Sequence, residues 1–325
     1  MSPEPAAPRG GPPAPNGAAA GPELGRLPRF PSLTFFFPMW NEEEIIERTV
    51  AAAHEAGAAL MAAGEVEDYE ILLVDDASTD STGARADAMA AWNPRVRVVH
   101  HAVNRKLGGS LKTGLAEARG ALVLYTDADL PFDLLDVVRA CRLLRIYEAD
   151  VVAAYRLDRT GEGPRRALYS YAYNALVRAV FRLRIRDVNF AFKLIRREVL
   201  EAIELHSEGS FIDAELLCRA QAAGFQIIQF GVDYFPRSRG VSTLSSGSVI
   251  VKILAELREL YPELRRARRE GRRGASEIAP VLQVAEIAGG PPGGERLDPE
   301  AAREPDAPDE ARVPDAPDGR HGARS

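Results

Sequence analysis

The chain has 325 residues, of which 46% are hydrophobic and 27% charged, enough apolar material for one large core or two small ones. A formal net charge of -6 and a pI near 5.6 exclude the basic balance of a nucleic-acid binder. Two cysteines, Cys141 and Cys218, show neither zinc spacing nor a disulfide framework, which fits a reducing compartment.

Residues 1–28 are rich in Pro, Gly and Ala and are expected to stay disordered, because they cannot bury enough apolar surface to offset the entropy of ordering. They lack the basic start and apolar block of a signal peptide. The apolar residues concentrate between about Leu33 and Leu264, so one folded domain is expected over residues 29–264. Residues 265–325 read as a basic stretch followed by a solvated tail. No apolar run reaches the roughly 18 residues of a membrane-spanning helix.

Within the domain, strands and helices alternate. Strands are expected at Leu33–Phe37, Tyr69–Val74, Val96–Val99, Ala121–Thr126 and Asp150–Ala154. Helices are expected between them at Glu42–Ala63, Ser81–Trp92, Gly109–Arg119 and Asp133–Tyr147. The second half is less regular: a helix at Arg166–Phe181, a strand at Asn189–Ile195, a helix at Asp213–Ala223 and a strand at Gln226–Phe230. An amphipathic helix is expected over Ser246–Leu264, with Val249, Ile250, Ile253, Leu254, Leu257, Leu260 and Tyr261 at helical spacing. Apolar strands joined by helices imply an α/β fold with a mainly parallel sheet covered on both faces.

Ligands of such sheets bind beyond the carboxyl ends of the strands. Two acidic clusters fall there: Asp75-Asp76 after Ile71–Val74, and Asp127-Ala128-Asp129 after Leu122–Thr126. Two neighbouring carboxylates repel, and a hard divalent cation such as Mg²⁺ or Mn²⁺ relieves the repulsion. The alternative is local: Asp129 as a helix cap, and Asp75 to Asp80 as an Asx-turn or cap before the Ser81 helix.

Three segments together resemble the family 2 glycosyltransferases of the GT-A fold: Pro38-Met39-Trp40-Asn41-Glu42, Val74-Asp75-Asp76-Ala77-Ser78-Thr79-Asp80-Ser81-Thr82, and Thr126-Asp127-Ala128-Asp129-Leu130. Within that family the chain looks most like the dolichol-phosphate mannose synthase group, which makes polyprenyl-phosphate sugars. The resemblance covers about residues 32–260. It implies that Pro38, Asn41, Glu42, Asp76 and the glycine turn at Gly108 bind a nucleotide-sugar, and that Asp127 and Asp129 hold the metal and the diphosphate. It implies an arginine, Arg156, near the transferring phosphate and a carboxylate pair, Asp213 and Glu215, at a helix start. It matches Arg237-Ser238-Arg239-Gly240-Val241-Ser242 to the family's closing loop. The chain departs from the family at Pro131, at Phe190-Ala191 and at Thr243.

Arginines crowd residues 156–197 with few acids among them. Arg166 and Ser170, four apart, share a helix face. Arg156, Arg166, Ser170, Lys193, Arg237 and Ser242 are the expected acceptor-phosphate residues, since guanidinium pairs with phosphate through two parallel hydrogen bonds. A second basic run, 265–273, suits peripheral contact with an anionic membrane surface. The expected reaction is inverting transfer of a hexose from a nucleotide-sugar to a polyprenyl phosphate, with Asp129, Arg156, Asp213 and Glu215 as catalytic residues, in a cytoplasmic or peripheral membrane setting. A soluble glycan or hydroxyl acceptor and a non-catalytic sugar-nucleotide binder are the competing readings. No Gly-x-Gly-x-x-Gly follows the first strand, which disfavours a dehydrogenase. The five histidines show no metal spacing and read as surface or core filler.

Overall fold

The computed structural model describes residues 28–158, 164–235 and 255–266. A seven-stranded sheet carries the chain in the order β3-β2-β1-β4-β6-β5-β7. Its strands are β1 (Phe30–Met39), β2 (Val66–Asp75), β3 (Val96–His100), β4 (Leu122–Thr126), β5 (Val151–Arg156), β6 (Phe192–Arg196) and β7 (Ile227–Val232). All run parallel except β6, which pairs antiparallel with both β4 and β5. The helices are α1 (Ile46–Ala62), α2 (Thr82–Trp92), α3 (Lys106–Glu117), α4 (Asp136–Ile146), α5 (Pro164–Phe181), α6 (Arg197–Ala202) and α7 (Ile212–Ala222). Residues 255–266 form a further helical segment.

The strands are apolar at successive positions because both faces are covered. From β1, Leu33, Phe35, Phe37 and Met39 enter a core shared with α1 and α4, while Phe36 enters a second core shared with α3 and α7. β2 and β4 divide the same way, Ile71, Leu73, Leu122 and Leu124 on the first side and Leu72, Val74, Val123 and Tyr125 on the second. α3 lies close enough to β1 that a Cβ at Gly114 would sit 2.0 Å from the Phe36 ring.

Three expectations shift. The strand expected at Asn189–Ile195 is β6, Phe192–Arg196, so Asn189 to Ala191 belong to the loop before it. The short helix α6 was not anticipated. Of the expected amphipathic helix, only residues 255–264 fall among the described residues, and they are helical, with Leu264 buried.

β1, β2 and β3 proceed outward in one direction, and β4 then returns to the other side of β1. The connections diverge between β1 and β4, which makes a switch-point crevice at their carboxyl ends. β6 runs the opposite way, so its start, Phe192, sits beside Thr126 at that same edge.

Candidate active site

The crevice is built from five chain segments. After β1, Asn41 takes a left-handed backbone, φ 57°, which bends the chain back toward the β2 exit. Its Oδ1 accepts from the Thr79 backbone at 2.8 Å, and its own N–H donates to Ser78 Oγ at 3.0 Å. The Glu42 N–H donates to Thr82 Oγ1 at 2.8 Å. Pro38 lies directly before this knot in β1, opposite Val74. Pro38, Asn41 and Glu42 are thus drawn together between the β1 and β2 exits.

The β2 exit separates two roles. Asp75 closes an Asx-turn, accepting from Ser78 N–H at 3.0 Å, and Asp80 accepts from Thr82 N–H at 2.9 Å in a second local turn just before α2. The local reading therefore holds for Asp75 and Asp80. Asp76 stands apart from both, with its side chain 5% exposed.

The neighbouring strand explains where Asp76 points. β2 and β3 pair in register with Asp75 opposite His100. The dipeptide Asp75-Asp76 therefore lies against His100-His101. His100 Nδ1 is 2.8 Å from Asp75 Oδ2, and His101 Nδ1 is 2.6 Å from Asp76 Oδ1. Asp87 and then Asp75 raise the His100 pKa above its ordinary value, against the opposing effect of burial. Burial works against the Asp75 carboxylate, but the Ser78 and His100 hydrogen bonds outweigh it and hold its pKa low. These two histidines are not filler. The sequence signal was present as two acids and two histidines ending adjacent strands, but it becomes readable only once the register is known.

Gly108 lies within the first turn of α3, where a Cβ would meet the backbone of Ser207 and Glu208 at 2.4 to 2.6 Å. The structure thus sets Gly108 against the segment before α7. Asn104 and Arg105, just ahead of it, reach Asp76 instead: Asn104 Nδ2 donates to its carbonyl at 3.2 Å and Arg105 N–H to Oδ1 at 2.7 Å.

Asp127, Ala128 and Asp129 follow β4 in a loop pinned by Thr49, whose hydroxyl donates to the Ala128 carbonyl at 2.5 Å. Leu130 turns the chain with φ 43°, and Pro131 accepts from Phe235 N–H at 2.8 Å. Both carboxylate oxygens of Asp129 are buried. Asp129 does not cap α4, because that helix starts seven residues later at Asp136. Two hard oxygen donors on one short loop fit a divalent cation that completes its shell with phosphate oxygens and water. Among the described residues, no group of three or more His, Cys, Asp or Glu could hold a metal unaided.

Across β4, the basic region resolves into separate pairs. Arg156 ends β5 and grips Asp187 at two points, Nε to Oδ2 at 2.7 Å and Nη2 to Oδ1 at 3.0 Å. Its guanidinium also lies 5.3 Å from the Tyr234 ring and 5.6 Å from the Phe190 ring. Phe190 in turn packs edge-on against Phe132, just beyond the Asp127–Pro131 loop, so the ion pair and the carboxylate loop share a wall. Lys193 is fully buried and donates to Asp213 Oδ1 at 2.5 Å and to the Phe190 carbonyl at 3.1 Å. Burial raises the Asp213 pKa, Lys193 opposes the rise, and Asp187 adds to it. Glu215 accepts from His206 and Ser207 N–H and from Arg219 Nε at 2.7 Å. Its oxygens thus hold the segment before α7.

The remaining cations scatter. Arg196 and Arg197 leave the far end of β6 and bind the carbonyls of Ala149, Ala118 and Gly120, at the edge opposite the crevice. The arginines that crowd residues 156–197 in the sequence are thus divided in space, these two lying away from Arg156. Ser170 lies in α5, where its carbonyl accepts from Asn174 Nδ2 at 2.9 Å. Arg166 falls in α5 with its side chain outside the described residues, and Arg237 and Ser242 lie outside them altogether.

A mainly parallel sheet between two helical layers, with paired carboxylates at its switch point, is the GT-A class. The chain belongs to glycosyl transferase family 2, whose defining pattern matches residues 34–204. Polyprenol monophosphomannose synthase of Mycolicibacterium smegmatis is 32% identical over 229 residues, spanning 65% of this chain and 80% of that one. Glycosyltransferase AglD of Haloferax volcanii is 35% identical over 205 residues, which are 62% of this chain but only 32% of that longer protein. Glucosyl-3-phosphoglycerate synthase of Mycobacterium tuberculosis, solved with Mn²⁺, UDP and glucosyl-3-phosphoglycerate, superposes with a TM-score of 0.55 at 22% identity, covering 75% of this chain and 86% of that chain. That last likeness is one of fold. Among the described residues, no helix is long and apolar enough to cross a membrane.

Proposed function

We propose that this glycosyltransferase moves a hexose from a GDP-mannose- or UDP-glucose-type donor to a polyprenyl phosphate, with inversion at the anomeric carbon. The observation that carries the reading is the shared wall between the Asp127–Asp129 loop and the Arg156–Asp187 pair. In this reading the carboxylates take a cation and the neighbouring guanidinium takes a phosphate. The Mycolicibacterium relative, by its name a polyprenol monophosphomannose synthase, supports the acceptor class.

In this reading the Asn41–Thr79 knot and Asp76 bind the nucleoside, Asp76 accepting a hydrogen bond from the base or ribose. Asp127 and Asp129 hold Mg²⁺ or Mn²⁺, which offsets charge on the departing diphosphate. Arg156, aimed by Asp187, stabilises negative charge beside the transferring sugar. The acceptor oxygen attacks opposite the leaving group. A phosphate acceptor is already ionised and needs no general base. That suits a site in which Asp213 is locked to Lys193 and Glu215 to Arg219. Arg166, Ser170, Arg237 and Ser242 are proposed to complete the acceptor side, and the basic residues beyond 264 to meet the membrane surface.

The deciding experiment incubates purified protein with Mn²⁺, radiolabelled GDP-mannose or UDP-glucose, and polyprenyl phosphate. Label is expected in the lipid phase, with none for Asp129→Ala. Label that enters only water-soluble acceptors sinks the lipid assignment, and undiminished transfer by Asp129→Ala sinks the metal assignment. Neutralising the arginines in 265–273 is expected to abolish liposome flotation, and retained flotation refutes the membrane contact.

A further inference from the structure

We infer that His101 is a positioning residue for the donor base: it fixes one oxygen of Asp76 so that the other faces an N–H of the bound nucleobase. The inference rests on the reading that Asp76 meets the donor nucleoside. His101 itself has no place in that reading.

The His101 side chain is 6% exposed and bridges two elements. Nδ1 is 2.6 Å from Asp76 Oδ1, and Nε2 is 2.9 Å from Thr113 Oγ1 on α3. A carboxylate oxygen only accepts, so Nδ1 carries the proton. Arg105 Nη1 donates to Thr113 Oγ1 at 3.2 Å. The Thr113 hydroxyl can accept there and donate its own proton to Nε2. Donation can then run in one direction through the network, from Arg105 to Thr113 to His101 to Asp76, with the proton of Nδ1 on the Asp76 side.

Asp76 Oδ1 also accepts from Arg105 N–H at 2.7 Å, so that oxygen is held from two sides. Among the described residues, none donates to Oδ2. The carboxylate therefore has one oxygen anchored from two sides and a second that keeps its acceptor capacity, just beyond the carboxyl end of β2. An acceptor there matches bases with an imino N–H on their pairing edge, which uracil and guanine carry. Cytosine and adenine present a bare ring nitrogen at that place. His101 thus contributes to donor choice without touching the donor.

The test is nucleotide binding by calorimetry with Mn²⁺ present, using UDP, GDP, CDP and ADP in turn. Wild type is expected to bind UDP or GDP more tightly than CDP and ADP. Asp76→Asn is expected to weaken the preferred nucleotide by about tenfold or more, which corresponds to roughly 1.4 kcal/mol. His101→Leu is expected to weaken it by a similar factor, while His101→Asn, whose amide can replace the Nδ1 donor, recovers most of the loss. His101→Leu added to Asp76→Asn is expected to cost nothing further, because the partner is gone. Thr113→Val, which keeps the imidazole in place, is expected to weaken binding about threefold. ¹⁵N resonances of His101 are expected to report the Nδ1–H tautomer. If Asp76→Asn weakens binding but His101→Leu and Thr113→Val do not, the positioning role is overturned and the reading of Asp76 stands. If Asp76→Asn binds like wild type, both fall. A ring protonated at Nε2 alone also overturns the inference.

Discussion

Arg156 holds Asp187 by two parallel hydrogen bonds, with the two side chains only 8% and 1% exposed. A guanidinium so buried keeps its orientation because the carboxylate matches its planar fork. Lysine keeps the charge and loses the fork. Arg156→Lys is therefore expected to lower kcat by about 10- to 100-fold with a modest change in stability. Asp187→Asn takes the bidentate carboxylate's charge away from the buried guanidinium and is expected to cost about 3–5 kcal/mol of stability as well as activity. Thermal unfolding and steady-state transfer rates separate the two effects. Equal losses of stability in both variants would show that the pair is only structural.

Lys193 and Asp213 make a second buried pair, at 1% and 5% side-chain exposure. Replacing one partner strands a charge in the core beside Tyr125, whereas replacing both with apolar residues of similar volume removes the charges together. Asp213→Asn is expected to lower stability by about 3–5 kcal/mol, and the Lys193→Met, Asp213→Leu double variant to recover most of it. Urea unfolding curves check the stability. Transfer assays on the double variant check the chemistry: a phosphate acceptor requires no base, so activity returns with the fold. A stable but inactive double variant would instead assign the Lys193–Asp213 pair a chemical role.

How far the sequence reveals this site depends on whether a residue's partner is close in the chain. β1, β2 and β4 are legible because each is apolar at successive positions, and their ends locate Asn41, Asp76, Asp127 and Asp129. The reversal of β6 is not legible. Its direction is set by pairing with β4 and β5 after the passage through α5, and nothing local to Phe192–Arg196 encodes it. That reversal also splits the arginine-rich region. Lys193 turns inward to Asp213, while Arg196 and Arg197 leave at the opposite edge. The role of His101 is illegible in the sequence for a similar reason. Its partner Asp76 is 25 residues upstream, brought alongside only by the β2–β3 register.

Gly108 tests how α3 is seated. Its N–H donates to the Glu208 carbonyl at 3.2 Å, and the Cβ of an alanine there would fall 2.4 Å from Glu208 carbonyl carbon. Backbone cannot yield as a side-chain end can, so α3 or the segment before α7 must move. Gly108→Ala is expected to destabilise by about 1–3 kcal/mol, a fall in Tm of about 2–4 °C for each kcal/mol in a domain of this size. Because Asn104 and Arg105 lie just ahead of Gly108 and hold Asp76, nucleotide affinity is expected to fall as well. Scanning calorimetry with and without UDP or GDP measures both. An unchanged Tm would mean that the 207–208 backbone moves away at little cost.

Asp136 gives the fold a pH dependence of definite sign. Burial first, and then the charges of Asp133 and Asp233, push its pKa up from 3.8 to about 6, with only Arg139 opposing. The folded pKa thus lies above the unfolded one, so the folded chain retains a proton that the unfolded chain releases. Between roughly pH 4 and pH 6 the native state binds more protons, and stability falls as pH rises through that window. Above it the ionised carboxylate remains a standing cost. Asp136→Asn removes the titration and keeps the side chain's shape. It is expected to raise Tm by a few degrees at pH 7.5, on the order of 1 kcal/mol once solvent screening is allowed for, and to leave Tm nearly unchanged below pH 4. Melting curves for both proteins from pH 4 to pH 8 check this. Parallel curves across the whole range would show that Asp136 titrates alike in the folded and unfolded chains.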